Sequence, residues 1–260
     1  MLRLTLTAAL ALATASASAG QIGWWKFDDT VGSSTAADSA GSNTGAINAG
    51  AAISTGGISG NALDLTNPGS VTIPSALLTA IGNAGGNGTA SIWIKPTAFG
   101  SYSTLFDSPG RNLSMWIDSP GVGYRGVGGS SSATTYSPLW TTGEWQHVGF
   151  VWQQAGGGSL TIYRNGVQTF SATGPGAVAS TFNDVWTIGN NPSGGGSAFQ
   201  GKIDDVQVYD SPLTSSQVAF LFNNPGAAVG VPEPSSLVLA GCGFLLWFAA
   251  SRRGHGHSNR

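Results

Sequence analysis

The chain is poor in cysteine, in charge and in glutamate, and each shortage narrows what it can be. Its 260 residues hold one cysteine, Cys242. A secreted domain made from this sequence therefore has no internal disulfide and draws its stability from its core, with a bound ion as a further source. Only 8% of the residues are charged, so the surface must be built from Ser, Thr, Asn and Gly. Between residues 20 and 228, six Lys and Arg stand against eleven Asp and Glu, a net charge of −5. An acidic domain without a basic stripe argues against nucleic acid as a partner and leaves room for cations. Long apolar runs are also missing. Leu4–Leu12 and Leu237–Ala250 both fall short of the roughly 20 residues that a stable membrane span needs.

What is abundant is glycine, 40 residues, alongside 10% aromatics and recurrent Val/Ile runs. Glycine alone would suit a disordered chain; the aromatics and β-branched runs point instead to a turn-rich β-protein. Short strands are legible at Ile22–Phe27, Gly60–Leu65, Gly69–Pro74, Thr89–Lys95, Thr104–Asp107, Asn112–Asp118, Gly121–Val127, Glu144–Trp152 and Val185–Gly189. Within Thr89–Lys95, Ala90, Ile92 and Ile94 fall on one face; Val148, Phe150 and Trp152 do the same later. Leu160–Arg164 and Val167–Ser171 flank Asn165-Gly166, a type I′ hairpin signal. Ser75–Ile81 is predicted as one or two helical turns, and Thr214–Phe222 as a short helix with Thr214 as N-cap. Asp28–Gly45 reads as a polar loop.

The last strand, Ile203–Tyr209, is the most informative. Strict alternation would put Ile203 opposite Val206 and Val208. A bulge at Asp204-Asp205 brings all three to one face and turns one carboxylate out of the ladder. No long helix and many short strands predict an all-β sandwich or jelly roll.

Both ends read as targeting sequence. Met1–Ala19 combines Arg3, the apolar run Leu4–Leu12 and the small residues Ala17-Ser18-Ala19, the order of a secretory signal peptide cleaved after Ala19. Residues 229–260 carry Pro232-Glu233-Pro234, a hydrophobic segment at 235–251 and then Arg252-Arg253, whose charges predict that this end stays cytoplasmic while the domain is exported.

Gly201-Lys202-Ile203-Asp204-Asp205-Val206-Gln207-Val208-Tyr209 closely resembles the closing strand of laminin-G-like, concanavalin-type jelly-roll domains. The resemblance extends across residues 20–228. It covers Trp24–Phe27, followed by Asp28, as the opening strand, Gly60-Asn61-Ala62-Leu63-Asp64-Leu65, and Thr89–Pro96. Trp145-Gln146-His147-Val148 and Ile162-Tyr163-Arg164-Asn165-Gly166 complete it in the expected order. It implies a concanavalin/laminin-G-like jelly-roll β-sandwich, flanked here by the signal peptide and a hydrophobic sorting helix. The tail resembles the PEP-CTERM sorting signal of bacteria that secrete extracellular polysaccharide. That implies an exosortase-type partner, transient anchoring in the membrane, processing near Pro232–Pro234, and a final place outside the cell or on its surface.

Chemistry is sparse. The glucanase branch of this sandwich carries E-x-D-x-x-E on one strand, and glycosidases need two carboxylates flanking the bond. Here the only glutamates are Glu144 and Glu233, the latter outside the domain. His147, the one histidine of the domain, reads as a half-buried strand residue; no G-x-S-x-G elbow accompanies it. Gly121–Gly126 matches G-x-G-x-x-G but leads into no helix, so it is no phosphate loop. Calcium is the candidate cofactor. Pairing of the first and last strands would bring Asp28 or Asp29 near Asp204 or Asp205; these four and Asp38 are the candidate ligands. Tyr124, Tyr136 and Trp140, in a loop beside Pro138, form a candidate aromatic platform for a sugar ring. The expected function is a non-catalytic binding or adhesion domain, with polysaccharide or glycoprotein as partner. A structural matrix component without a ligand is the alternative, and a polysaccharide hydrolase is disfavoured.

Overall fold

The computed structural model describes residues 20–229 apart from 67, 101, 110–112, 119–120, 126–130, 135–139, 155–157, 174–183 and 193–196. The expected signal peptide and the expected sorting tail after Val229 lie outside the described residues. Among the described residues no helix is long and apolar enough to cross a membrane.

In chain order the elements are β1 (Gln21–Trp25), β2 (Thr35–Ala36), β3 (Gly45–Ile47), β4 (Ala51–Thr55), β5 (Asn61–Leu65), β6 (Val71–Ile73), α1 (Ala76–Asn83) and β7 (Gly88–Ala98). There follow β8 (Ser103–Asp107), β9 (Ser114–Asp118), β10 (Gly121–Arg125), β11 (Ser131–Thr134), β12 (Gln146–Gln153), β13 (Ser159–Arg164) and β14 (Val167–Thr173). The chain closes with β15 (Trp186–Ile188), β16 (Ser197–Ala198), β17 (Gln200–Tyr209) and α2 (Ser215–Asn223). One sheet has the order β14-β13-β12-β7-β17-β5-β4, with β1 also on β17; the other runs β11-β10-β9-β8-β15-β6-β3-β2. Pairing is antiparallel throughout except for β16, which lies parallel to β8. The result is an all-β sandwich of two antiparallel sheets.

Between the sheets lies one core, built from the inward residues of the alternating strands. Ala90, Ile92 and Ile94 of β7 and Val148, Phe150 and Trp152 of β12 all belong to it. Phe106 and Trp186 stack across neighbouring strands with centroids 4.5 Å apart, and Leu77, Leu78 and Ile81 bring α1 into the same cluster. Three of the buried indoles find acceptors: Trp25 Nε1 donates to Asn43 O, Trp152 Nε1 to Gly86 O and Trp186 Nε1 to Leu113 O, at 2.9–3.0 Å.

Local signals in the sequence resolve as geometry. Asn165 and Gly166 both have positive φ, 49° and 76°, the type I′ turn that matches the twist of β13 and β14. Thr214 caps α2 through a complete capping box with Gln217. The bulge in β17 is present: the register to β7 shifts between Asp204 and Gln207, and Ile203, Val206 and Val208 all enter the core. Helix α2 packs a second, smaller cluster, in which Val218 and Leu221 meet Val151, Tyr163, Tyr209 and Leu213. The polar loop expected over Asp28–Gly45 instead contributes β2 and the start of β3. Its Ser, Thr and Ala residues carry no hydrophobic alternation, and the pairing of β2 with β3 and of β3 with β6 decides their conformation.

Candidate functional site

The first strand lies against the last, with Trp24 opposite Gln207 and Trp25 opposite Val206. Two residues of this junction have left-handed backbones, Phe27 at φ 53° and Asp205 at φ 46°. This is uncommon for residues with a Cβ, and it costs energy that the surroundings must supply. The turn at Phe27 keeps its ring in the core and sends Asp28 outward; the bulge at Asp205 turns a second carboxylate out of the ladder. Together they form the rim recess lined by Lys26, Asp28, Ser59, Asp204, Asp205 and Gly226, with a cavity volume of about 30 Å³. That is room for one ion or a water molecule or two.

Each carboxylate here also holds the scaffold. Asp28 Oδ1 accepts the Asn61 N–H at 2.9 Å. Asp204 accepts the N–H of Ser59 and that of Asp205, at 3.1 and 2.7 Å. Asp205 Oδ1 accepts Trp24 Nε1–H at 2.6 Å and Gln207 Nε2–H at 3.0 Å, while Oδ2 accepts the Gly226 N–H at 2.8 Å. Gly60, at φ 78°, is required by this packing as well as by its backbone, because a Cβ there would overlap Asp28 Oδ1. The Lys26 ammonium sits 3.9 Å from the centre of the Trp24 ring, a cation–π contact at the mouth of the recess.

Burial dominates the electrostatics. It pushes the Asp204 carboxyl up to about 7, with the neighbouring Asp205 charge adding to the rise and the Ser59 and Asp205 N–H groups opposing it. Asp205 is also raised by burial, against the Gly226, Trp24 and Gln207 hydrogen bonds and the Lys26 charge. Two desolvated carboxylates side by side are what a divalent cation would relieve.

Of the five candidate calcium ligands, the structure brings Asp28, Asp204 and Asp205 together. Asp29 and Asp38 are elsewhere: Asp29 accepts the Ala37 N–H with both oxygens, and Asp38 takes the N–H groups of Trp24, Ala40 and Asn43. Both fold the loop after β1. Among the described residues no three acidic, histidine or cysteine side chains converge tightly enough to hold an ion by themselves. Lys26, Ser59 and Gly226 were missed from the sequence, since a strand lysine, a turn serine and a glycine carry no signal of a shared recess.

Of the aromatic platform, the exposure expected of Trp140 is corrected. Trp140 is 6% exposed; its indole N–H donates to Gly121 O at 2.7 Å, and the Arg164 guanidinium lies 5.2 Å from its ring centre. A loop position beside Pro138 suggested exposure, but the ring packs into the core. Tyr124 is a β10 residue opposite Met115, and Tyr136 lies outside the described residues. His147 is fully rather than half buried. Its Nε2 shares a 2.8 Å hydrogen bond with Ser91 Oγ, its ring packs beside Trp93 at 5.3 Å, and burial drives its pKa down to about 3. A neutral histidine sealed from solvent and bonded to one serine is structural. Glu144 is exposed in the turn before β12.

Comparison with curated protein sequences finds no match. Among solved structures, domain 4 of AbnA, an extracellular arabinanase of Geobacillus stearothermophilus solved with arabinotriose, shares 22% identity, with 78% of this chain and 98% of that one covered and a TM-score of 0.61. The sialidase of Trypanosoma rangeli solved with sialic acid matches at 19% identity and a TM-score of 0.57, over 78% of this chain and 32% of its own. The receptor-binding domain of the botulinum neurotoxin C/D mosaic serotype matches at 15% and 0.58, over 78% and 51%. At these identities the likeness is one of fold. The Laminin_G_3 family model matches residues 65–219, more than half of the chain, and the chain therefore belongs to the concanavalin A-like lectin/glucanases superfamily.

Proposed function

We propose that the chain is an exported cell-surface or matrix protein whose sandwich is a non-catalytic binding module for carbohydrate, with a calcium-stabilised rim. The observation that carries this reading is the rim recess, where two strained residues bring Asp28, Asp204 and Asp205 to one opening. At about 30 Å³ it admits an ion and is far below the several hundred Å³ of a pocket for an organic ligand. Its carboxylates are also occupied by scaffold N–H groups, which suits charge balance better than acid–base work on a glycosidic bond. When bound, calcium would supply positive charge to neutralise Asp204 and Asp205. Those two and Asp28 would hold it, with carbonyl or water oxygens completing the shell.

Carbohydrate as the ligand class is supported by the arabinotriose bound to domain 4 of AbnA. Export, processing at Pro232–Pro234 by an exosortase-type enzyme, and transient anchoring belong to the same reading and rest on the two ends of the sequence. The second reading, a structural matrix component, is favoured by one observation: the burial of Trp140 removes an aromatic from the expected sugar platform. The deciding experiment is binding of the chain to a panel of polysaccharides in calcium and in EDTA. Binding that EDTA abolishes supports the first reading; no binding in either buffer sinks it and leaves the structural role.

A further inference from the structure

Past α2 the chain turns at Pro225-Gly226, where Gly226 has φ 78° and the Ala227 N–H donates to Asn224 O at 3.1 Å. Proline followed by a glycine of positive φ is the signature of a type II turn. The segment that follows is gripped by side chains of β17. Gly226 N–H donates to Asp205 Oδ2 at 2.8 Å, Ala227 O accepts from Gln207 Nε2 at 2.9 Å, and Val229 N–H donates to Tyr209 Oη at 3.3 Å. Asp205, Gln207 and Tyr209 stand at alternate positions of the strand and are all buried. They are also tied to one another: Gln207 Nε2 donates to Asp205 Oδ1, and Tyr209 Oη donates to Gln207 Oε1 at 2.6 Å. Gln21 Nε2 of β1 joins the same Gln207 oxygen at 2.9 Å.

A strand added to a sheet is held backbone to backbone, and removing it exposes an edge. This strap is held by three side chains that remain in place when it leaves. Little apolar burial opposes its departure, since Gly226, Ala227 and Ala228 carry at most a methyl group and Val229 alone packs on the α2 cluster. We propose that residues 225–229 form a reversible latch that opens while the sandwich stays folded. The open latch is the form that a peptide-cleaving enzyme acting just beyond Val229 engages. Such enzymes take their substrates as extended chain through backbone hydrogen bonds, and in the closed latch the N–H groups of Gly226 and Val229 are already committed. Pro232 follows Val229 by three residues in the sequence. This proposal rests on the reading of residues 229–260 as a processed tail.

The test is native-state hydrogen exchange on the full chain, together with digestion by an elastase, which cuts after small apolar residues such as Ala227, Ala228 and Val229. The expected result is exchange of the Gly226 and Val229 amides by local opening, about tenfold or more faster than Val206 and Val208 of β17 and independent of low denaturant. Tyr209→Phe should raise elastase cleavage within 227–229 about three- to tenfold, the effect of one or two modest hydrogen bonds. Exchange of β17 should stay unchanged; Gln207→Leu should act in the same direction. Strap amides that exchange only together with β17, by global unfolding, overturn the latch, and exchange of the wild-type chain alone decides this if a variant does not fold. The tail reading fails separately, when chain recovered after export from a host with the processing enzyme still carries residues 235–260. In that case local opening measured in vitro still supports the latch as a device, and its role in processing is overturned.

Discussion

His147 offers the sharpest quantitative test of the structure. Its ring, carried by β12, lies between Trp93 of β7 and Phe222 of α2, and its pKa falls from an ordinary value of 6.5 to about 3 because burial penalises the imidazolium. A base whose folded pKa is depressed contributes stability that is fully present above 6.5 and is lost as pH falls toward 3. At 1.36 kcal/mol per pKa unit the full swing is about 5 kcal/mol, of which roughly 3 kcal/mol has gone by pH 4. Asp204 works the other way. Its folded pKa is raised from 3.8 to about 7, so its contribution is present below 3.8 and lost as pH rises through 7. The two slopes oppose each other across the same window, and wild-type stability alone hides both. The measurement is therefore a difference: urea unfolding of wild type and of His147→Gln in EDTA, at steps from pH 7.5 to 4. Relative to the variant, wild type should lose about 3 kcal/mol over that range. A difference between the two proteins that does not change with pH would refute the claim that the histidine is buried neutral.

Other expectations follow from single contacts. Asp204→Asn in EDTA should gain stability relative to wild type as pH rises from 5 to 8, read by the same unfolding curves; equal slopes would mean that Asp204 is not desolvated. In wild type, calcium at about a hundred times its dissociation constant should add roughly 2.7 kcal/mol, a rise of about 5–10 °C in Tm, and Asp204→Asn should remove that rise. Gly60→Ala meets both a positive φ and Asp28 Oδ1, and should cost about 1–3 kcal/mol in chemical denaturation; a neutral result would show that the recess yields. Thr214→Ala loses the capping box of α2 and should lower stability by about 1 kcal/mol.

The sandwich was legible in the sequence because period-two patterns in β7 and β12, the Asn165-Gly166 turn and the Thr214 cap are local signals with one geometric solution each. The bulge was legible too, since Ile203, Val206 and Val208 reach one core only through it. β2, β4 and β16 were not, because short runs of Ser, Thr and Ala become strands only when a neighbour presents an edge. The recess was half legible. Asp28, Asp204 and Asp205 follow from pairing the first strand with the last, whereas Asp29 and Asp38 sit in the same sequence neighbourhood and serve the loop. Trp140 and His147 show the limit more plainly. Burial is decided by what crosses over a side chain from distant sequence, Gly121 and Arg164 for the tryptophan and Phe222 for the histidine, and no local pattern reports that.

The placement of β17 also orders events in time. It is the last strand of the domain to be synthesised, yet it stands between β7 and β5 and carries β1 as well, and the Gly20–Asp210 hydrogen bond closes a separation of 190 residues. Until β17 is available, no strand among the described residues joins β5 to β7, and β1 has no strand to pair with. Such a long-range closure makes folding slow. A chain threaded N-terminus first through a narrow passage could therefore close this sheet only when its final strand emerges.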